Sequence, residues 1–305
     1  MRYLVTGAAG FIGSQLLRTL LERGHDASVW DAYTDYYDPQ LKEENAAGLP
    51  VERVDLVADS ITLDGFDGVY HLAGQPGVAS FGKVFPVYVR QNVLASQRLF
   101  EAAAEAGIRV VFASSSSIYG DAAVYPTPED TTPRPLSPYG VTKLACEHLA
   151  QAYASELGLE VVALRYFTIY GPRQRPDMAF TKMVTCLAEG QPFELYGDGN
   201  QSRSFTYVDD AVEATIGAME RGAAGSTFNV GGGTEVSMLE ALETLGRVAN
   251  RRIEVIREPR RQGDAGRTAA DTTRIREAIG WAPTTPFEEG LAAQWRWAAA
   301  RVAAA

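Results

Sequence analysis

Cysteine is scarce. Cys146 and Cys186 are the only two in 305 residues, too few and too far apart for a disulfide framework or a thiolate metal site, so both are expected as free thiols in a reducing compartment. Histidine is nearly as rare, and His25, His71 and His148 have no second ligand at metal spacing; no metal site is expected. Positive charge is in deficit, with 28 Lys and Arg against 38 Asp and Glu for a net charge of -10, which opposes binding to nucleic-acid backbones and anionic lipid. No apolar run approaches membrane length, and the chain enters a strand pattern at Arg2-Tyr3-Leu4-Val5 without a secretory leader, so a cytoplasmic location is expected. Repeats and low-complexity tracts are absent too. What remains is globular composition in a chain long enough for an enzyme of two lobes.

Short β-branched runs alternate with helical stretches through the first half: Tyr3-Leu4-Val5, Ala27-Ser28-Val29-Trp30, Gly68-Val69-Tyr70-His71-Leu72 and Arg109-Val110-Val111-Phe112-Ala113. This predicts βαβ units around a parallel sheet, a Rossmann-type doubly wound α/β fold. Ile12, Leu16, Leu17, Leu20 and Leu21 share one face of a helix ended by Gly24, and Ser137-Pro138 opens another that closes at Gly158. After Tyr170-Gly171-Pro172, denser Gly and Pro steps predict a smaller mixed α/β lobe. The expected division is 1–165 for the dinucleotide and 166–305 for the substrate, with a strand at 227–230 returning to the first sheet. Asp209-Asp210 opens a helix and reads as N-capping.

Gly7-Ala8-Ala9-Gly10-Phe11-Ile12-Gly13 joins the first strand to the first helix. Small residues let the backbone approach a pyrophosphate, and the helix N-terminus offers unpaired N–H groups and the positive end of its dipole. Asp31 ends the second strand 18 residues after Gly13, where a carboxylate can accept ribose hydroxyls and would repel a 2′-phosphate; NAD is therefore expected rather than NADP. Further on, Tyr139-Gly140-Val141-Thr142-Lys143 sets a phenol and an ammonium on one helical face. A tyrosine hydroxyl ordinarily titrates near about 10, and a neighbouring cation favours the phenolate needed for a base. The serines of Phe112-Ala113-Ser114-Ser115-Ser116-Ser117 leave the preceding strand within reach of the same oxygen.

These motifs, with glycines spaced G-x-x-G-x-x-G, Asp55-Leu56 after the third strand and His71-Leu72-Ala73-Gly74 at the fourth, resemble the extended short-chain dehydrogenase/reductases, the NAD-dependent epimerase/dehydratase family, over essentially the whole chain. The resemblance implies a catalytic triad in which Ser115 positions the substrate oxygen, Tyr139 moves the proton and Lys143 holds the nicotinamide ribose. It implies contacts to the cofactor from Gly7, Gly10, Phe11, Ile12, Gly13, Asp31, Asp55, Leu56, Leu72, Ala73 and Gly74, with Asp55 beside the adenine, and a homodimer built on the helical regions 84–105 and 138–157.

Three longer segments resemble UDP-glucuronic acid 4-epimerases in particular: Asp35-Tyr36-Tyr37-Asp38-Pro39 with Leu41-Lys42, Tyr166 to Pro172, and Arg175-Pro176-Asp177-Met178-Ala179. The planar fork of Arg175 suits a carboxylate, with Ser116 and Thr168 as hydroxyl donors. By resemblance Arg203 and Arg261 grip a diphosphate, Asp264 meets a ribose and Tyr196 lies beside uracil. Transient oxidation at carbon 4 and return of hydride to the opposite face is the implied reaction on a UDP-sugar. The family's decarboxylases and dehydratases carry an acidic residue where Ser116-Ser117-Ile118 stands, which disfavours both fates. A UDP-glucose/UDP-galactose 4-epimerase, a UDP-glucuronate decarboxylase and a non-catalytic NAD-binding regulator are the competing readings. Two departures from the epimerase pattern are Ala79, where arginine is usual and which Lys83 could replace, and Ala32, where asparagine is usual.

Overall fold

The structure, a computed structural model, describes residues 1–78, 81–259 and 266–304, with the side chains of Lys83 and Ala304 left aside. Seven strands make the central sheet: β1 (Arg2–Thr6), β2 (Asp26–Asp31), β3 (Val51–Arg53), β4 (Gly68–His71), β5 (Val110–Ser115), β6 (Val161–Tyr166) and, from much later in the chain, β10 (Thr227–Val230). Their order is β10-β6-β5-β4-β1-β2-β3 and every pairing is parallel. This is the Rossmann-type doubly wound fold expected from the alternating pattern. Order reverses between β1 and β4, and ligands of such sheets sit outside the carboxyl ends of the strands at that point.

Helices cover both faces, as an all-parallel sheet requires. On one side α1 (Phe11–Glu22) and α7 (Val208–Arg221) bury Leu16, Leu17, Leu20, Val212 and Ile216 against Val5, Val29 and Val162. On the other, α4 (Ala95–Ala106) and α5 (Pro138–Leu157) bury Leu99, Phe100, Ala103, Cys146 and Ala150 against Leu4, Val69 and Val110. The short α2 (Pro39–Ala46) and α3 (Phe85–Tyr88) precede β3 and α4, and a π-helical segment, Val89–Leu94, runs from α3 into α4.

A second layer stands above the carboxyl edge. Here β9 (Ser202–Tyr207) pairs with β7 (Thr168–Tyr170), β11 (Thr234–Ser237) and β13 (Arg267–Thr268), while β8 (Phe193–Tyr196) pairs with β12 (Val255–Glu258). The mixed sheet packs on α6 (Ala179–Glu189), α8 (Met238–Ala249) and α10 (Phe287–Ala304), whose shared core includes Phe180, Met183, Phe205, Leu245 and Leu291; α9 (Thr273–Ile279) returns to α7 and β10 through Ile275 and Ile279.

The expected cap at Asp209-Asp210 is corrected. Tyr207 occupies the N-cap position of α7 without a side-chain cap. Asp210 instead accepts from the Thr284 N–H at 3.1 Å, the Thr284 hydroxyl at 3.0 Å and the Thr285 N–H at 3.0 Å. A first-turn carboxylate thus ties α7 to the segment before α10, a partner that no local pattern announces.

Candidate active site

One cleft of about 770 Å³ lies between the carboxyl ends of the central strands and the second layer. Gly7, Gly10, Phe11, Ile12 and Gly13 form its floor at the switch point. Gly7 adopts φ +74°, and a Cβ there would stand 2.6 Å from the Ala73 nitrogen, so only glycine lets the first turn lie against the end of β4. Gly10 is the N-cap of α1 and no side chain caps the helix, which leaves its first N–H groups facing the cleft. Asp31 is buried at the end of β2, where its carboxylate accepts from the Ala9 N–H at 3.1 Å and the Tyr33 N–H at 2.8 Å. An uncapped helix end facing a buried carboxylate fits the pyrophosphate and adenosine ribose of NAD.

Leu56, Leu72, Ala73, Gly74 and Ala32 also line the cleft. Asp55 does not stand among the lining residues; its carboxylate pairs with Arg90 at 2.9 Å and accepts from the Val57 N–H at 2.9 Å. The Arg90 guanidinium and the Val57 N–H more than offset burial and hold that carboxyl below its usual range.

The chemical groups meet where α5 abuts the end of β5. The Ser137 hydroxyl caps α5 by accepting from the Gly140 N–H at 3.1 Å. Gly140 matters for another reason: a Cβ on it would lie 2.6 Å from the Ser117 carbonyl oxygen, so its absence lets the first turn of α5 close on the segment that carries Ser115. Tyr139 and Ser115 both face the cleft. The Ser115 oxygen accepts from the Ser117 N–H at 3.2 Å and the Ser117 hydroxyl at 2.9 Å, which leaves its own proton to donate. Lys143 is buried, donates to the Ala113 carbonyl at 2.8 Å, and sets its ammonium 6.0 Å from the centre of the Tyr139 ring. Ser116 starts the short 3-10 turn Ser116–Ile118 and is not among the lining residues.

Asn92, which sequence reasoning missed, sits under this group. Its amide oxygen accepts from the Gln75 N–H at 2.7 Å, and its amide nitrogen donates to the Gln75 carbonyl and the Thr142 hydroxyl. It lies in the π-helical segment, whose wider turn presents it to the β4 loop, and no sequence signal marks such a turn.

At the far end, Thr168, Arg175, Tyr196 and Arg203 line the same cleft, with Lys182 beside them. Arg203 donates to the Ser202 carbonyl at 2.8 Å and Tyr196 to Glu194 at 2.6 Å. Arg261 and Asp264, along with Ala79, lie outside the described residues. Arg175 does not present an unoccupied fork: its Nε and Nη2 each donate to Asp177 at 3.0 Å. The Arg-Pro-Asp spacing was the available signal for that pairing.

A glycine turn at the switch point of a doubly wound sheet, with a serine, a tyrosine and a lysine gathered over it, defines an extended short-chain dehydrogenase/reductase. The chain matches the NAD dependent epimerase/dehydratase family over residues 3–231 and belongs to it. A UDP-glucuronic acid 4-epimerase from Bacillus cereus, solved with UDP-glucuronic acid and NAD, superposes with a TM-score of 0.93 at 36% identity, covering 98% of this chain and 99% of that one. MoeE5, solved with UDP-glucuronic acid and NAD, is 41% identical at a TM-score of 0.87 over 97% and 98% of the two chains. A Bacillus subtilis (strain 168) protein described as an uncharacterized UDP-glucose epimerase, YtcB, is 37% identical over 95% of this chain and 96% of its own.

Proposed function

We propose that the protein interconverts UDP-glucuronic acid and UDP-galacturonic acid by NAD-dependent epimerisation at carbon 4. The observation that carries this reading is the presence of Arg175 and Thr168 on the wall of the cleft that Tyr139 and Ser115 line. The two solved relatives holding UDP-glucuronic acid add to it. In this reading 1–165 with the strand at 227–230 carry the dinucleotide, and the remainder of 166–305 carries the nucleotide sugar.

When bound, NAD supplies reversible hydride acceptance from carbon 4. Ser115 donates its free proton to the 4-oxygen and Tyr139 removes the proton of the 4-hydroxyl, with the Lys143 ammonium beside the phenol. The 4-keto sugar formed in this way is a β-keto acid, and it loses carbon dioxide fastest when the bond to the carboxylate stands perpendicular to the carbonyl plane. Arg175 and Thr168 hold that carboxylate in the plane and so keep it. Arg203 and Tyr196 receive the diphosphate and the base, with Arg261 and Asp264 assigned there by resemblance.

Phe85, Val87, Val89, Leu94 and Val141 are exposed apolar side chains on α3, the π segment and α5, which supports a homodimer through this face. Two unpaired thiols support a cytoplasmic setting, and no helix among the described residues is long and apolar enough to cross a membrane.

The test is proton NMR of UDP-glucuronic acid with the NAD-loaded protein, following the anomeric signals and released carbon dioxide. UDP-galacturonic acid without UDP-xylose is the expected product. No turnover, together with interconversion of UDP-glucose and UDP-galactose, would replace this reading with the neutral-sugar epimerase.

A further inference from the structure

Arg175 enters the cleft already held, and the manner of holding carries a consequence. Pro176 follows it, and the Met178 N–H donates back to the Arg175 carbonyl at 3.2 Å, closing a tight turn with proline in its second position. The turn folds Asp177 back onto its neighbour. Both bonds use the side-on edge of the guanidinium, Nε and Nη2, to the two carboxylate oxygens at 3.0 Å each. The guanidinium has five donors in a rigid fork, so the Nη1 side is left to meet a ligand. Asp177 in turn is held from across the cleft: the Tyr36 hydroxyl, on the connection between β2 and α2, donates to its Oδ2 at 3.2 Å. Burial alone pushes the Asp177 carboxyl up, but Arg175 and Tyr36 more than reverse it and keep it ionised below the ordinary carboxylate range. The Tyr36 hydroxyl is itself confined, since a Cβ on Gly77 would lie 2.7 Å from it, and the Gly77 carbonyl accepts from Tyr88 at 2.5 Å.

We propose that Asp177 and Tyr36 are positioning residues which hold Arg175 side-on with its Nη1 edge turned to the cleft, and so set the preference for a carboxylate-bearing sugar over a neutral one. This rests on the glucuronate reading above. A free arginine would have to give up its rotamer freedom each time it met a carboxylate, whereas this one is ordered before the ligand arrives. In the competing role Asp177 occupies the edge of the fork that the substrate carboxylate needs, and the two roles give opposite signs of the change in KM when Asp177 is replaced.

The experiment measures KM for UDP-glucuronic acid and Kd for UDP-glucose with NAD-loaded wild type, Asp177→Asn and Tyr36→Phe. Asp177→Asn should raise KM for UDP-glucuronic acid about tenfold, the scale of a charge-assisted hydrogen bond, while Kd for UDP-glucose stays within about twofold. Tyr36→Phe should shift the same ratio in the same direction by about threefold, and it keeps the test decisive should Asp177→Asn fail to fold. A lower KM in Asp177→Asn would show that Asp177 competes with the substrate and would overturn the proposal. Equal weakening of both ligands, or no change in either, would overturn it too. Wild type that binds UDP-glucose as well as UDP-glucuronic acid defeats the glucuronate reading itself, a result separable from the others because it requires no variant.

Discussion

Replacing Glu147 by glutamine would remove one charge from a pair that lies behind the catalytic groups. Arg165 on β6 is buried and its Nε and Nη2 donate to the Glu147 carboxylate, the latter at 2.8 Å, while Nη1 donates to the Tyr119 hydroxyl at 2.7 Å and the Glu129 carbonyl at 2.8 Å. Glu147 also accepts from the Ser114 hydroxyl. Glutamine keeps the volume but leaves the guanidinium charge uncompensated in a site of low dielectric, a loss of about 3–5 kcal/mol. An unfolding entropy of about 2.1 cal/mol/K per residue over 305 residues is roughly 0.6 kcal/mol/K. The melting temperature of the NAD-loaded protein should therefore fall by about 5–8 °C for one cooperative transition. Differential scanning calorimetry reads this directly. Replacing both partners by methionine should recover part of the loss, because apolar side chains of similar volume do not carry the desolvation penalty of a lone ion, although the Ser114 hydroxyl and the Glu129 carbonyl then lose a partner. Unchanged melting in Glu147→Gln, or a double variant that loses the sum of both single effects, would refute this account of the pair.

Tyr139→Phe should lower kcat by about 10³-fold while bound NAD, read by its absorbance after release, stays near one per chain. Gly140→Ala should drive the first turn of α5 away from the Ser117 carbonyl and cost about 10²-fold in kcat, with NAD content again unchanged. Burial pushes the His71 imidazole down to about 3 from 6.5. The unfolded chain therefore takes up the proton first, and the stability contributed by neutral His71 is complete above about pH 6.5 and is lost as pH falls toward 3. Urea unfolding at pH 5 should show about 2 kcal/mol less stability than at pH 7 from this residue, and His71→Asn should flatten that part of the slope; equal slopes would contradict it.

The sheet and its cofactor turn were readable because their signals are local. The glycines between β1 and α1, and the Leu stripe that predicted a helix over 12–23 where α1 runs Phe11–Glu22, need no knowledge of remote chain. The same holds for α5, whose Ser137 cap, Pro138 and Gly158 bracket it in the sequence. What stayed hidden depends on distant partners. Asp210 was read as a cap because its bonds to Thr284 and Thr285 cross from another element. Asn92 gives no sign of its role, since a π turn differs from an α turn by one residue of spacing with no composition of its own. Arg175 was read from the sequence as a free fork for a carboxylate; its pairing with Asp177, two residues on, went unread, because which edge of the guanidinium the turn engages is set by the fold.

The placement of β10 beside β6 also decides how this chain can be divided. Phe228 and Val230 pair with Leu164 and Tyr166 in register, so the last strand of the central sheet is made only after more than two hundred residues. A fragment cut near residue 165 would leave β6 as a raw, apolar sheet border with its ladder of N–H and C=O groups open to any other strand in solution. Such a fragment is expected to self-associate, and transplanting the front half as a portable cofactor module requires the distant strand to travel with it.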